Sequence, residues 1–207
     1  MKRKSAITLL IAPVALTLLL WQSSLAQTAQ SSTAPVAGTH EAAMMVPARA
    51  YLLRDLDAKK DHSGDTFEAK LSDTVHLKNG PELPKGTIFI GVVTDDEMQL
   101  HALSKLALRI TSAKLSDGKS IPVKATIVNI DAPQSTDAEG YPVEPGKQMP
   151  NDWNKKILAT DQIDALHDVD LHSRISGKNS GVFVSTKNDN MKLKEGSELE
   201  LAIAEQK

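Results

Sequence analysis

The feature that most constrains the fold of this sequence is an alternation of apolar and polar residues with a period of two. It begins near Met44 and is clear in 50–56 and in 67–72. Because successive side chains of a β-strand point to opposite faces, the pattern predicts strands with one buried face. Residues 106–111 alternate in the same way, so we expect a strand rather than a helix there. Residues 87–93 are almost continuously apolar, which predicts a strand covered on both faces.

Glycines mark the corners between these strands. Asp117-Gly118 lies between two alternating runs, which is typical of a short hairpin whose tight turn needs a positive φ. Residues 83–90 and 193–201 share the order apolar residue, basic residue, glycine, hydroxyl residue, strand. Gly86 and Gly196 are therefore predicted turn residues, although the shared order is also what many strands that follow a glycine turn would give.

These patterns predict a mostly β fold, a small barrel or sandwich, as one domain over 44–207. Aromatic residues make up only 3% of the chain, so its core must be aliphatic. Residues 132–151 are rich in proline, glycine, serine, glutamine and acidic residues. We interpret them as a long loop inserted in the β domain.

A short helix is predicted to follow this insertion. It would start at Trp153 with Asn151 or Asp152 as its cap, and it would turn Ile157 and Leu158 inward.

The first residues predict export. Basic residues at 2–4 precede an uncharged apolar run at 6–21, and Ser24-Leu25-Ala26 offers small residues at the positions that a signal peptidase reads. We expect a signal peptide over 1–26, cleaved after Ala26, and a bacterial protein that is periplasmic or secreted. The alternative is an uncleaved anchor, which would tether the chain to the membrane. Residues 27–43 contain few large apolar side chains and predict a disordered tether.

Charge and composition exclude several functional classes. The chain has 24 Lys and Arg residues and 26 acidic residues. Removal of the three basic residues at 2–4 leaves 21 basic residues, so the formal charge of the remaining chain is about −5. No basic block or aromatic platform is present, so nucleic acid is not an expected partner. The absence of cysteine excludes lipidation, disulfides and thiolate metal sites, and we expect no cofactor.

Several of these segments together resemble a known family. They are GDTFEA at 64–69, LPKGT at 83–87, GVV at 91–93, LSDGKSIPV at 115–123 and the turn at Gly196. In this order they resemble the periplasmic β-barrel domain of VirB10/TrbI-type secretion-channel proteins, and more closely short exported bacterial proteins of unknown function with the same pattern. The resemblance implies a barrel-like fold and a task in the cell envelope. The chain departs from the channel proteins in its brevity and its predicted cleavable signal.

One cluster has residue types suited to metal chemistry. His167, Asp168, Asp170 and His172 could hold a divalent ion, because residues 168, 170 and 172 of a strand would share one face. The alternative is a polar strand that faces water, and we favour it because no third nitrogen ligand is placed by spacing. Ser180 stands between glycines, but its spacing predicts a turn before a strand rather than a nucleophile elbow.

The sequence is compatible with three functions. We favour a non-catalytic exported module that docks to another envelope or secretion component, and therefore not an enzyme. The alternatives are a periplasmic small-ligand binder that uses the barrel mouth and a metal-dependent hydrolase that uses the cluster from His167 to His172. The sequence does not predict an oligomeric state.

Overall fold

A computed structural model describes residues 39–133 and 152–206, and this part of the chain is mostly β. Its two helices are α1 (Thr39–Met44) and α2 (Trp153–Leu158). Its strands are β1 (Val46–Leu52), β2 (Leu56–Asp57), β3 (Thr66–Leu71), β4 (Val75–His76), β5 (Glu82–Leu83), β6 (Ile88–Thr94), β7 (Ser104–Lys114), β8 (Ser120–Asp131), β9 (Ala159–Leu166), β10 (Val169–Arg174), β11 (Gly181–Ser185), β12 (Lys192–Leu193) and β13 (Glu198–Glu205). The predicted signal peptide, residues 27–38 of the tether and residues 134–151 of the insertion lie outside the described residues.

Six antiparallel strands close into a barrel, in the order β6, β3, β1, β13, β8 and β7, and β7 pairs again with β6. The prediction of a mostly β fold is confirmed, and of the two predicted architectures the structure has the barrel. Inward side chains alternate along each strand and fill the interior. The largest of the fully buried side chains are the three phenylalanines, Phe67, Phe89 and Phe183, and the rest of the core is aliphatic.

The strand predicted over 87–93 is β6, but only one of its faces is buried. Phe89 and Val93 point into the barrel, whereas Ile88, Ile90 and Val92 are half-buried. The expectation of cover on both faces is wrong, because a barrel has one interior. The outer face of β6 lies beside polar residues of its neighbouring strands, such as Glu68 opposite Ile90.

The barrel wall opens between β7 and β8. The two strands pair only through 112–114 and 120–122, and beyond this point the sheet continues from β7 into an extension made of β11, β10 and β9. Ser180 lies between β7 and β8 where the two strands separate, and its backbone bonds to both. Its N–H donates to the carbonyl of Leu108 at 2.7 Å, and its carbonyl accepts from the N–H of Ile127 at 2.8 Å. Ser180 thus joins both separated strands.

The prediction of a disordered tether over 27–43 is wrong for its last five residues. Residues 39–43 belong to helix α1, not to a disordered segment. Ala42 and the adjoining Met45 pack with Ile157 of α2 in a small apolar cluster on the outer wall of the barrel. The short segment is ordered because it covers apolar surface of α2, a contact between residues far apart in sequence.

The helix predicted to start at Trp153 is confirmed as α2. Ile157 is buried and Leu158 is half-buried, as expected. Asp152 occupies the cap position, but its side chain makes no capping hydrogen bond. Its carbonyl instead accepts hydrogen bonds from the N–H groups of Lys155 and Lys156 at 2.8 and 3.0 Å.

Gly86, Gly118 and Gly196 have φ angles of 86°, 86° and 80°. This left-handed region strains residues with a side chain, which is a physical reason for glycine at these corners. Within 39–133 and 152–206, no helix is long and apolar enough to cross a membrane.

Candidate functional site

The predicted metal cluster lies on the hairpin of β9 and β10. Leu166 pairs with Val169, so His167 and Asp168 form the turn between the strands. Asp168 has a φ of 59°, which aspartate tolerates better than most residues. The prediction that residues 168, 170 and 172 share one face of a strand is therefore wrong for Asp168, because the hairpin turns at that residue.

The four candidate residues have separate partners. Asp168 Oδ1 lies 2.9 Å from Lys187 Nζ, and the exposed His167 ring lies 3.4 Å from the other oxygen of Asp168. Asp170 Oδ1 accepts a hydrogen bond from the N–H of Asp164 at 2.8 Å. His172 Nδ1 is 2.8 Å from Asp161 Oδ1.

In the part of the chain that the structure describes, no group of three or more His, Asp, Glu or Cys side chains is placed to hold a metal ion. The hydrogen bond from Lys187 lowers the pKa of Asp168 below its ordinary value. Asp168 is thus an ion-pair partner of Lys187, whereas Asp170 accepts a backbone hydrogen bond within the hairpin.

A charged network on the extension was not expected from sequence. Both carboxylate oxygens of Asp161 accept hydrogen bonds from Arg174 Nη2, at 2.9 and 2.7 Å, and His172 lies on the same carboxylate. Burial alone would raise the pKa of Asp161, but the hydrogen bonds from His172 and Arg174 lower it. The network depends on the register that places Asp161 opposite His172, which the sequence pattern does not specify.

Another polar cluster lies on the outer wall of the barrel. Arg49 Nη2 contacts Asp73 at 2.9 Å, whereas its Nη1 is 3.6 Å from the buried carboxylate of Glu198. Tyr51 lies opposite Glu198 on the neighbouring strand. Burial first, and then the Glu198 carboxylate, raises the pKa of Tyr51 to about 12.

Within residues 39–133 and 152–206, β9 is the last strand of the nine-stranded sheet and pairs with β10 alone. Its ladder is interrupted by a bulge, in which residues 163–165 stand opposite Asp170. Asp164 adopts a φ of 51° there. Ile163, in this bulge, has 68% of its surface exposed, the largest value among the exposed large apolar residues of the described part. Bulges of this kind commonly occur at sheet edges, where they redirect side chains.

A second exposed apolar residue lies at the same end of the extension. Leu103 is 64% exposed, and its N–H donates to the carbonyl of Ser185 at 2.9 Å. Ser185 follows Val184, which pairs with Asp170 opposite the bulge. Strands β10 and β11 separate Leu103 from β9, so Leu103 is not part of this edge. We name Ile163, Asp164, Asp168 and Asp170 the β9 edge surface.

Comparison with known proteins finds similarity among solved structures only. No protein-family model matches the chain, and no curated protein matches it. Among solved structures, the chain is similar to ComB10 of the Com Type IV secretion system of Helicobacter pylori, with 12% sequence identity and a TM-score of 0.37. The similarity covers 77% of this chain and 85% of that one.

Proposed function

We propose that this chain is an exported, non-catalytic β module that docks to another protein of the bacterial cell envelope. The observation that carries the proposal is the β9 edge surface. Within the described residues, it combines the most exposed large apolar side chain, Ile163, with a strand that pairs on one side only. Exposed apolar groups at a sheet edge are typical of surfaces that another chain covers.

The barrel interior favours a surface task over the binding of a small ligand. Leu108 and Ile127 near the opening of the wall, and Leu201 on β13, have no measurable exposure. Side chains fill a barrel of this size, whereas larger barrels enclose ligand cavities.

The partners of the hairpin residues favour docking over metal-dependent hydrolysis. His172 is held by Asp161 and Asp168 by Lys187, so each of these side chains already has a structural role. A catalytic metal site needs its ligands to converge on one open position.

The envelope location rests on the N-terminal sequence. The basic residues at 2–4, the apolar run at 6–21 and the small residues at 24–26 are typical of a bacterial signal peptide. The sequence segments that resemble VirB10/TrbI-type periplasmic domains support the same compartment.

A capture experiment tests the proposal. The tagged full-length chain is produced in its native cells, envelopes are cross-linked, and captured proteins are quantified by mass spectrometry. Ile163→Ser should lower recovery of the specific partner at least about tenfold, equivalent to ~1.4 kcal/mol of binding free energy. Leu53→Ser is the matched control, because Leu53 is also an exposed large apolar residue, at 40%. Equal recovery with both variants would contradict docking through this surface.

A further inference from the structure

We propose that the β9 edge surface binds a basic polypeptide segment that places one apolar side chain against Ile163. This inference rests on the proposed docking function and adds the chemistry of the partner.

The charge around Ile163 is strongly unbalanced. Asp164 lies next to it in the bulge, and Asp170 stands opposite the bulge on β10. Asp168 lies in the adjoining turn, where Lys187 contacts it at 2.9 Å. Lys187 also interacts electrostatically with Asp164 and Asp170, so in the described part of the chain three carboxylates lie near this one ammonium group. The surface therefore has a surplus of negative charge around an apolar centre.

The negative charge and the exposed apolar side chain of this surface determine which kind of partner fits it. Lysine or arginine side chains can pair with the carboxylates while an apolar side chain between them covers Ile163. An acidic segment would instead be repelled, because like charges brought together at an interface are unfavourable. The surplus charge also predicts that binding is faster and tighter at low ionic strength.

The backbone of β9 can add main-chain contacts. Leu158 and Ile175, which lie just outside β9 and β10, form a hydrogen-bonded pair, because the N–H of Ile175 donates to the carbonyl of Leu158. Hydrogen-bonded and non-hydrogen-bonded pairs alternate in an antiparallel ladder, so the pair of Asp161 and His172 is a non-hydrogen-bonded one. The N–H and C=O of Asp161 therefore point away from β10. An extended segment that lies along this edge can pair with them, as in other cases of strand addition. The bulge at 163–165 limits such pairing to a short stretch.

Two synthetic peptides of alternating charge test the inference. One is Lys-Val-Lys-Ile-Lys-Val-Lys and the other has glutamate in place of every lysine, both with blocked ends. Binding to the exported chain, purified from the envelope fraction, is measured by fluorescence anisotropy at low and high salt. We expect the lysine peptide to bind, to weaken at high salt, and to bind at least about tenfold more tightly than the glutamate peptide. Equal affinity for both peptides, or no binding of the lysine peptide, would overturn the inference.

Charge-neutral variants locate the site. Asp164→Asn with Asp168→Asn removes two negative charges, and asparagine accepts the positive φ of both positions as readily as aspartate. This double variant should weaken the lysine peptide at least about fivefold, whereas Asp117→Asn, in a distant hairpin turn, should not. Undiminished binding by the double variant would place the peptide elsewhere and overturn the assignment.

The two proposals can fail separately. If envelope capture depends on Ile163 but not on the Asp164 and Asp168 charges, docking stands and the basic partner is wrong. If capture is independent of Ile163, the docking proposal itself is wrong, whatever the peptides do.

Discussion

The hydroxyl oxygen of Ser180 lies 3.0 Å from the backbone nitrogen of Ile110 and accepts its hydrogen bond inside the protein. This contact lies where β7 leaves β8, and the backbone of Ser180 bonds to both strands there. Ser180, which the sequence spacing predicts as a turn residue before a strand, therefore joins the barrel to its extension.

Replacement of Ser180 by alanine should destabilise the protein. The substitution leaves the buried N–H of Ile110 without its acceptor, which costs about 1–3 kcal/mol. Chemical denaturation followed by circular dichroism measures the loss in the free energy of unfolding. Ser116→Ala, at an exposed position in the hairpin turn between β7 and β8, is the control and should change stability little. Equal stability of the Ser180 variant and the control would contradict the role of Ser180 as a joint.

Replacement of Gly86 by valine should also destabilise the protein. Gly86 has a φ of 86°, which a β-branched residue strongly disfavours. A Cβ atom at this position would meet only Lys70 Cε, at 3.7 Å, so the expected cost of about 1–3 kcal/mol comes from backbone strain rather than from a clash. Thermal unfolding measures the loss. Gly86→Asn should cost less, because asparagine tolerates positive φ better, and unchanged stability of the valine variant would count against the turn.

Tyr51 should make stability depend on alkaline pH. Its pKa in the folded protein is raised to about 12. A raised pKa means that the stabilising contribution is fully present below the unfolded value of about 10 and is lost as the pH rises toward 12. Tyr51→Phe should remove this part of the pH dependence. Ultraviolet titration of the Tyr141→Phe variant isolates Tyr51, since the chain has two tyrosines. A transition near 10 would contradict the half-buried position of Tyr51 opposite the Glu198 carboxylate.

Deletion of residues 134–147 should leave the barrel folded. The predicted insertion connects β8 to α2, and both adjoining elements have their own packing contacts in the apolar cluster that contains Val128 and Ile157. Circular dichroism and thermal unfolding of the deletion variant check this. A loss of cooperative unfolding would show that the segment is structural.

The sequence predicts those features that local patterns specify. Alternation predicts β7 as a strand, and the composition around Trp153 predicts α2, because both depend on neighbouring residues. The position of Asp168 in a turn depends on where β9 and β10 pair, and the bulge before it shifts that register. Helix α1 forms because Ala42 and Met45 pack against α2, which lies more than a hundred residues away in the sequence. Long-range contacts of this kind leave no local pattern.

Site-specific photo-cross-linking in living cells tests the docking surface most directly. A photo-reactive amino acid is introduced at position 163, in the bulge of β9, and at position 53 as the control site. We expect light to produce a specific cross-linked envelope protein from position 163 and not from position 53. The double variant Asp164→Asn with Asp168→Asn should reduce the yield of this product. Cross-linking from position 53 alone, or no specific product from position 163, would contradict docking through the β9 edge surface.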